Sequence, residues 1–195
     1  MSRLHTSYVL GYHGCDREFG LKLVRGEARL DPSNGKYHWL GSGIYFWESD
    51  PHRALEWAKQ KAARGACNNP YVIGAVIDLG NCLDLLSRGD VDLVRDAYNS
   101  FKEVQEKAKL KLPKNEKAPK DQSPDLVLRY LDCAVINHLH SIVENGSSPF
   151  DSVRAIFNEG IPIFDGSKLL DHNHVQIAVR TPKCIKGIFI PPAFL

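Results

Sequence analysis

Leu40-Gly41-Ser42-Gly43-Ile44-Tyr45-Phe46-Trp47-Glu48-Ser49-Asp50-Pro51 is the stretch around which the chain is organised. A glycine pair feeds an aromatic and β-branched run, which predicts a short buried strand. Ser49 or Asp50 followed by Pro51 predicts the cap and first turn of a helix. The segment is therefore a strand-to-helix corner. Gly41 and Gly43 permit positive φ or close backbone approach, so a flat ligand fits against the corner beside the Tyr45 ring. A glycine-bounded aromatic strand is equally the composition of plain core.

Upstream, Ser7-Tyr8-Val9-Leu10-Gly11-Tyr12-His13-Gly14 reads as an opening strand that ends in His-Gly. Together the two stretches resemble the ADP-ribosyltransferase superfamily, in the branch shared by diphtheria-toxin-like and poly(ADP-ribose) polymerase enzymes. That branch carries His-Gly on its first strand, Gly-x-Gly-x-Tyr-Phe leading into a helix, and a glutamate opening a late strand. Here the first two are His13-Gly14 and Gly41-Ser42-Gly43-Ile44-Tyr45-Phe46, and the third position is matched by Gln176 within His174-Val175-Gln176-Ile177-Ala178-Val179-Arg180. The resemblance implies an α/β (α+β) fold, a single domain over residues 1–195 with an ADP-ribosyltransferase-like split β-sheet core and a helical insertion at about 90–145.

The resemblance also implies NAD as substrate and cleavage of its nicotinamide–ribose bond. Nicotinamide leaves as a neutral ring from a cationic one and needs no proton, so the site must stabilise an oxocarbenium-like ribose and hold an acceptor in line. By the same resemblance, backbone groups of Gly14 bond the nicotinamide amide and His13 bonds the adenosine-side ribose. Tyr45 stacks on the pyridinium ring, with Trp57, twelve residues on, as its counterpart. Anchoring of a helix to the core is the other reading of Trp57. Tyr45 and Gln176 are the catalytic candidates. A glutamate at the late position bonds the ribose 2′-hydroxyl, favours positive charge on the ribose and in some members draws a proton from the acceptor. Gln176 does only the first. Three readings follow: an acceptor needing little deprotonation, a charge supplied by Glu48, Asp165 or Asp171, or a relative that binds without reacting.

Composition sets the frame. The 195 residues suit one domain with a core that needs no disulfides, and 43% hydrophobic with 25% charged residues is ordinary for a globular chain. No apolar run approaches the roughly 20 residues that span a bilayer, and residues 1–6 run into strand-like sequence, so no membrane partner and a cytoplasmic location are expected. Cys15, Cys67, Cys82, Cys133 and Cys184 are odd in number and scattered, which predicts free thiols. Cys15 follows His13-Gly14 but reads as a small packed thiol. His172-x-His174 and His138-x-His140 lack a companion Cys or carboxylate cluster at zinc spacing, so no metal site is expected.

Taken in order, residues 16–30 predict a short helix or turn ending near Gly26, then a break at Asp31-Pro32-Ser33-Asn34-Gly35. By the resemblance, that break is the loop covering the dinucleotide. Ala54, Leu55, Trp57, Ala58 and Ala62 predict a helix over 51–64 with Gly65 as its stop. Tyr71-Val72-Ile73-Gly74-Ala75-Val76-Ile77-Asp78-Leu79 predicts a strand buried on both faces. Val94, Ala97, Tyr98, Phe101, Val104 and Ala108 predict a helix to about residue 110. Residues 102–120 hold seven lysines and three acids, a local net of +4 broken by Pro113 and Pro119, and predict a mobile surface loop. Such a loop can steer phosphate-rich acceptors or simply keep the chain soluble. A third helix is expected from a Ser123-Pro124 cap to Asn145-Gly146. Residues 150–157 are compatible with strand or helix. Two late strands, 174–180 and 184–191, are expected across a tight connection at Thr181-Pro182-Lys183, with His174, Gln176, Ala178 and Arg180 sharing one face. By the resemblance, the loop before the late strand, residues 164–173, lies near the acceptor.

The expected activity is transfer of ADP-ribose from NAD to an intracellular macromolecule, protein or nucleic acid, in toxin-like or defence use as in small stand-alone members of the superfamily. An NAD glycohydrolase and a non-catalytic NAD or ADP-ribose binding module are the alternatives.

Overall fold

Asp16 shows how local sequence sets the first elements. Its carboxylate ends strand β1 (Tyr8–Asp16) and accepts the backbone N–H of Glu18, capping helix α1 (Arg17–Val24). The computed structural model describes residues 8–118, 125–144 and 148–194. The predicted corner follows as β2 (Ile44–Glu48) and α2 (Pro51–Ala63), with the Asp50 side chain accepting from Arg53 N–H and Pro51 in the first turn. Ser49 turns the chain between them at φ 56°, a left-handed conformation uncommon outside glycine. Gly65, at φ 73°, ends α2 as expected. Then come β3 (Pro70–Asp78), β4 (Cys82–Asp84), α3 (Arg88–Lys107), α4 (Tyr130–Glu144), β5 (Ser152–Phe157), β6 (His174–Val179) and β7 (Ile185–Phe189). The fold is α+β, with a mixed seven-stranded sheet ordered β4-β5-β6-β2-β1-β3-β7.

The join with the fewest paired residues lies between β1 and β2, inside the sheet. β1 pairs with β3 along its whole length, but with β2 only through Gly11–Glu48 and Tyr12–Trp47. On a flat sheet β6 and β7 would lie four strand spacings apart, roughly 19 Å at about 4.8 Å each. The link between them coils into a 3-10 turn at Pro182–Cys184, where the rise is only about 2 Å per residue. The sheet must therefore fold over at the β1–β2 seam. Its inner faces meet in one core, where Ile44, Phe46, Ile177 and Val179 from one half pack with Ile73, Ala75 and Ile77 from the other. α2 covers the outer face of the β1–β3 half by packing Ala54 on Val72, and Trp47 of β2 joins the same cluster across the seam. α3 and α4 cover the outer face of the β5–β6–β2 half through Ala97, Val135, Ile136, Leu139 and Ala178.

Several expectations are corrected. The two late strands are not a hairpin, since β6 lies between β5 and β2 while β7 pairs with β3 at the far edge. The ambiguous 150–157 segment is strand, because Ser152–Phe157 pairs with β6 along its length. α4 begins at Tyr130, since an antiparallel bridge between Glu116 and Leu128 holds the preceding backbone and the Asn115 side chain accepts the N–H groups of Leu131 and Asp132. The same contacts anchor the lysine-rich segment at Asn115 and Glu116, where free mobility was expected. The Ser123-Pro124 cap and the Asn145-Gly146 stop fall outside the described residues. On the face of β6 that holds Gln176, His174 and Ala178 are buried beneath aromatic and helical cover. The five cysteines are all free and buried.

Candidate functional site

The seam is where the two matched motifs meet. His13 Nδ1 lies 2.8 Å from the Tyr45 carbonyl oxygen, 32 positions away. A carbonyl only accepts, so the imidazole carries its proton on Nδ1 and leaves Nε2 as an acceptor. Burial pushes the imidazole well below its usual value, to about 4, against the raising effect of that bond, so the ring is neutral near pH 7. His13 thus replaces the missing ladder of hydrogen bonds between β1 and β2 just beyond Tyr12–Trp47. Its ring faces Phe46 on the inner side of the sheet, 5.7 Å between centroids.

The other expected site residues lie on the outer, helix-covered side. Gly14 touches α2, and a Cβ there would stand 2.1 Å from the Ala54 carbonyl oxygen. The glycine is what lets helix and strand approach. Its own carbonyl accepts from Lys61 Nζ at 3.3 Å. Burial pulls the Lys61 amine below its ordinary value. Tyr45 folds its hydroxyl back over the glycine corner, donating to the Gly41 carbonyl at 2.8 Å and accepting from Leu40 N–H at 3.0 Å. Burial raises that phenol strongly. Gly41 itself sits at φ 77° with Asn137 and Ile136 of α4 against it, so the corner is shaped by packing on α4 as well as by backbone freedom.

Gln176 is bonded at both ends of its amide. Trp39 Nε1 donates to Oε1 at 2.8 Å, and Nε2 donates to His174 Nε2 at 2.7 Å. His174 Nδ1 in turn donates to the His172 carbonyl at 2.7 Å. The chain has one consistent direction and requires neutral His174, in keeping with burial and nearby Arg53, which lower its pKa. A glutamine satisfies both neighbours, accepting from an indole N–H and donating to an imidazole lone pair. A glutamate satisfies only the first unless His174 is protonated. The residue type is therefore specified by its surroundings.

Trp57 does not meet Tyr45. It packs 6.2 Å from Trp47 with the Arg64 guanidinium 5.8 Å over its ring. Tyr45 belongs to the α4-side cluster with Trp39, and its ring neighbour is His38 at 5.1 Å. Trp57 belongs to the α2-side cluster. The carboxylates proposed to replace the glutamate charge are also separated. Glu48 is on the inner side, held by two bonds from Arg154 at 2.6 and 2.8 Å, while Asp171 accepts from Ile161 N–H and pairs with His172 in a loop.

Beside the Gln176–His174 chain opens a cleft of about 260 Å³ between α2 and the loop leading into β6, lined by Arg53, Glu56, Gln60, Asp125, Glu159 and His172. Arg53 pairs with Glu159 at 2.9 Å. Residues 50, 52, 171 and 173 line a smaller adjoining groove of about 100 Å³ that shares Arg53, Glu56 and His172. The motif reading missed Trp39, Lys61, Arg53 and Glu159. Lys61 was visible as the break in the Ala54, Ala58, Lys61 stripe at i, i+4, i+7. The Trp39–Gln176 bond, 137 positions apart, left no local signal. Among the described residues no His, Cys, Asp and Glu group is arranged to hold a metal, and no helix is long and apolar enough to cross a membrane.

Comparison with known proteins gives a relative of undefined role. The chain is 29% identical over 199 aligned positions to an uncharacterized protein of Methanocaldococcus jannaschii, covering 91% of this chain and 84% of that one. No family model matches the chain, and no solved structure matches it.

Proposed function

We propose that this chain breaks the nicotinamide–ribose bond of NAD and transfers ADP-ribose to a macromolecular acceptor, with the seam between β1 and β2 as its site. The observation that carries the reading is the His13–Tyr45 bond. Two motifs remote in sequence, matched on residue type alone, are coupled atom to atom at the point where the sheet divides. Gly14, under α2, and Tyr45 and Gln176, on the outer face of β2 and β6, flank that division from its two halves, with an open polar cleft beside it.

In this reading the dinucleotide displaces internal partners. The nicotinamide amide exchanges with Lys61 at the Gly14 carbonyl, and the released ammonium stays beside the diphosphate. The ribose 2′-hydroxyl takes the Gln176 oxygen from Trp39. Tyr45 presents its ring face to the cationic pyridinium. The Gly14 carbonyl and the Gln176 oxygen each keep one partner through the exchange, and the Trp39 indole N–H must find an acceptor on the ligand or in water. A specific observation favours a second reading: Gln176 supplies no charge and is bonded on both sides, which suits a module that binds NAD or ADP-ribose without turnover.

The test is incubation of the purified chain with adenine-labelled NAD, with and without mixed protein, DNA and RNA. Label on a macromolecule with stoichiometric nicotinamide release supports transfer. Nicotinamide release without acceptor identifies a glycohydrolase, and thermal protection without turnover identifies the binding module. A direct titration that detects no NAD binding ends the proposal.

A further inference from the structure

Helix α3 ends in a reversal of the chain. Lys109 takes the left-handed conformation at φ 55°, and the N–H groups of Lys109 and Leu110 close back on the Glu106 and Gln105 carbonyls. From there the backbone runs without helix or strand until Glu116 bridges Leu128. Asn115 fastens it a second time, donating to Asp132 at 2.8 Å and accepting from Leu131 N–H at 2.9 Å. A strongly basic stretch is thus held at defined points against the start of α4, which solubility alone does not require.

Its charge is unspent. Residues 107–117 hold five lysines, Lys107, Lys109, Lys111, Lys114 and Lys117, and one acid, Glu116. All five lysines are exposed, and among the described residues none is in an ion pair. Upstream, Glu106 lies 3.8 Å from Lys102 and Glu103 is exposed, so those three residues together lower the net charge by one. Residues 119–124, outside the described residues, contain Lys120 and Asp121 and leave the formal charge unchanged. Toward α4, Asp132 is engaged by Asn115 and Arg129, and Asp125 accepts from Gly160 N–H.

The nature of these lysines selects the partner. Exposed ammonium groups stabilise isolated ion pairs with an acidic protein very little. A nucleic-acid backbone is different, because each phosphate neutralised releases condensed counterions, a gain that needs accessible cations and no built pocket. Residues 102–117 contain no aromatic ring on which a base could stack, so contact is made through phosphates. A membrane surface requires an apolar face to enter it, and this stretch exposes Val104 and Leu110 as its large apolar side chains.

We propose that residues 107–117 form a nucleic-acid surface that neutralises backbone phosphates without reading sequence. The surface is independent of the NAD reading, and its test contains no NAD.

The full chain is titrated into a fluorescein-labelled DNA duplex of about twenty base pairs over a range of salt concentrations, with anisotropy as the readout. Five phosphate contacts predict a slope of log affinity against log salt of about −4 to −5. The triple variant Lys107→Gln, Lys111→Gln, Lys114→Gln is expected to bind at least tenfold more weakly at low salt and to lower the slope by about 3, with circular dichroism and urea midpoint unchanged. The corresponding triple arginine variant keeps the slope, and a duplex of unrelated sequence binds within about twofold. No binding at about 50 mM salt overturns the proposal. So does a slope that the glutamine variant leaves unchanged, a tenfold preference for one duplex sequence, or equally tight binding of poly-glutamate or anionic phospholipid vesicles.

Discussion

Two neighbouring regions of this molecule are built on opposite terms. Around Gln176, Trp39, His174 and Tyr45 the polar atoms of each side chain named above are matched to a specific internal partner, and the groups are neutral. Nearby, the cleft at Arg53 and Glu159 is open, and among the described residues its carboxylates outnumber its guanidinium groups. The contrast separates architecture from exchange. A satisfied, neutral network fixes positions, and an unbalanced, accessible one is where a ligand gains most by arriving.

The largest effect that tests the contrast is on the packed side. Gly14→Val places carbon atoms against the Ala54 backbone carbonyl, a contact that no side-chain rotation relieves. It is expected to lower stability by about 3 kcal/mol or more, read as a drop in the urea midpoint. Acidification comes next. His13, with its pKa pushed down to about 4, and His140, down to about 3, are neutral in the folded protein while the unfolded chain protonates near 6.5. Their contribution is full above pH 6.5 and is lost as pH falls toward 4, by at most about 3 kcal/mol for His13. His13→Gln should flatten that part of the stability–pH curve, and an unchanged slope would assign the loss elsewhere.

Trp39→Phe keeps an aromatic ring, smaller than the indole, and removes the donor to Gln176, leaving a partly buried amide oxygen unpaired. About 1–2 kcal/mol of destabilisation is expected by denaturant titration. Tyr45→Phe should cost about 1 kcal/mol for the same reason yet keep NAD turnover, whereas Tyr45→Ala should abolish turnover with the fold retained, as monitored by nicotinamide release and circular dichroism. On the cleft side Glu56→Gln is expected to change stability by less than about 0.5 kcal/mol. A large loss there would make the cleft structural and erase the contrast.

The sequence disclosed what local chemistry controls. Asp50-Pro51 and Gly65 bounded α2, Asp16 and Gly26 bracketed α1, and the glycine corner led into β2. It did not disclose what distant partners decide. α4 starts where Asn115 and Glu116 hold the preceding backbone, and β7 crosses to β3 because the sheet folds at its seam. For the candidate site, His13, Gly14, Tyr45 and Gln176 were visible as residue types in strand contexts. Their placement was not: His13 turns inward, Trp57 packs against Trp47 away from Tyr45, and Gln176 answers to an indole named by no motif. Periodicity identifies the face a side chain takes, but the neighbour across that face comes from another strand or helix.

The position of β6 has a consequence for synthesis. This central strand, between β5 and β2, is encoded near residue 180, so during translation β2 emerges more than a hundred residues before the partner that covers its second edge. Until residues 174–179 leave the ribosome, β2 and β5 present unpaired backbone, a state that favours chaperone capture or self-association. Nascent chains arrested before residue 174 should therefore remain protease-sensitive across both halves, and a short C-terminal extension of the arrest point past β7 should convert them abruptly to the resistant form.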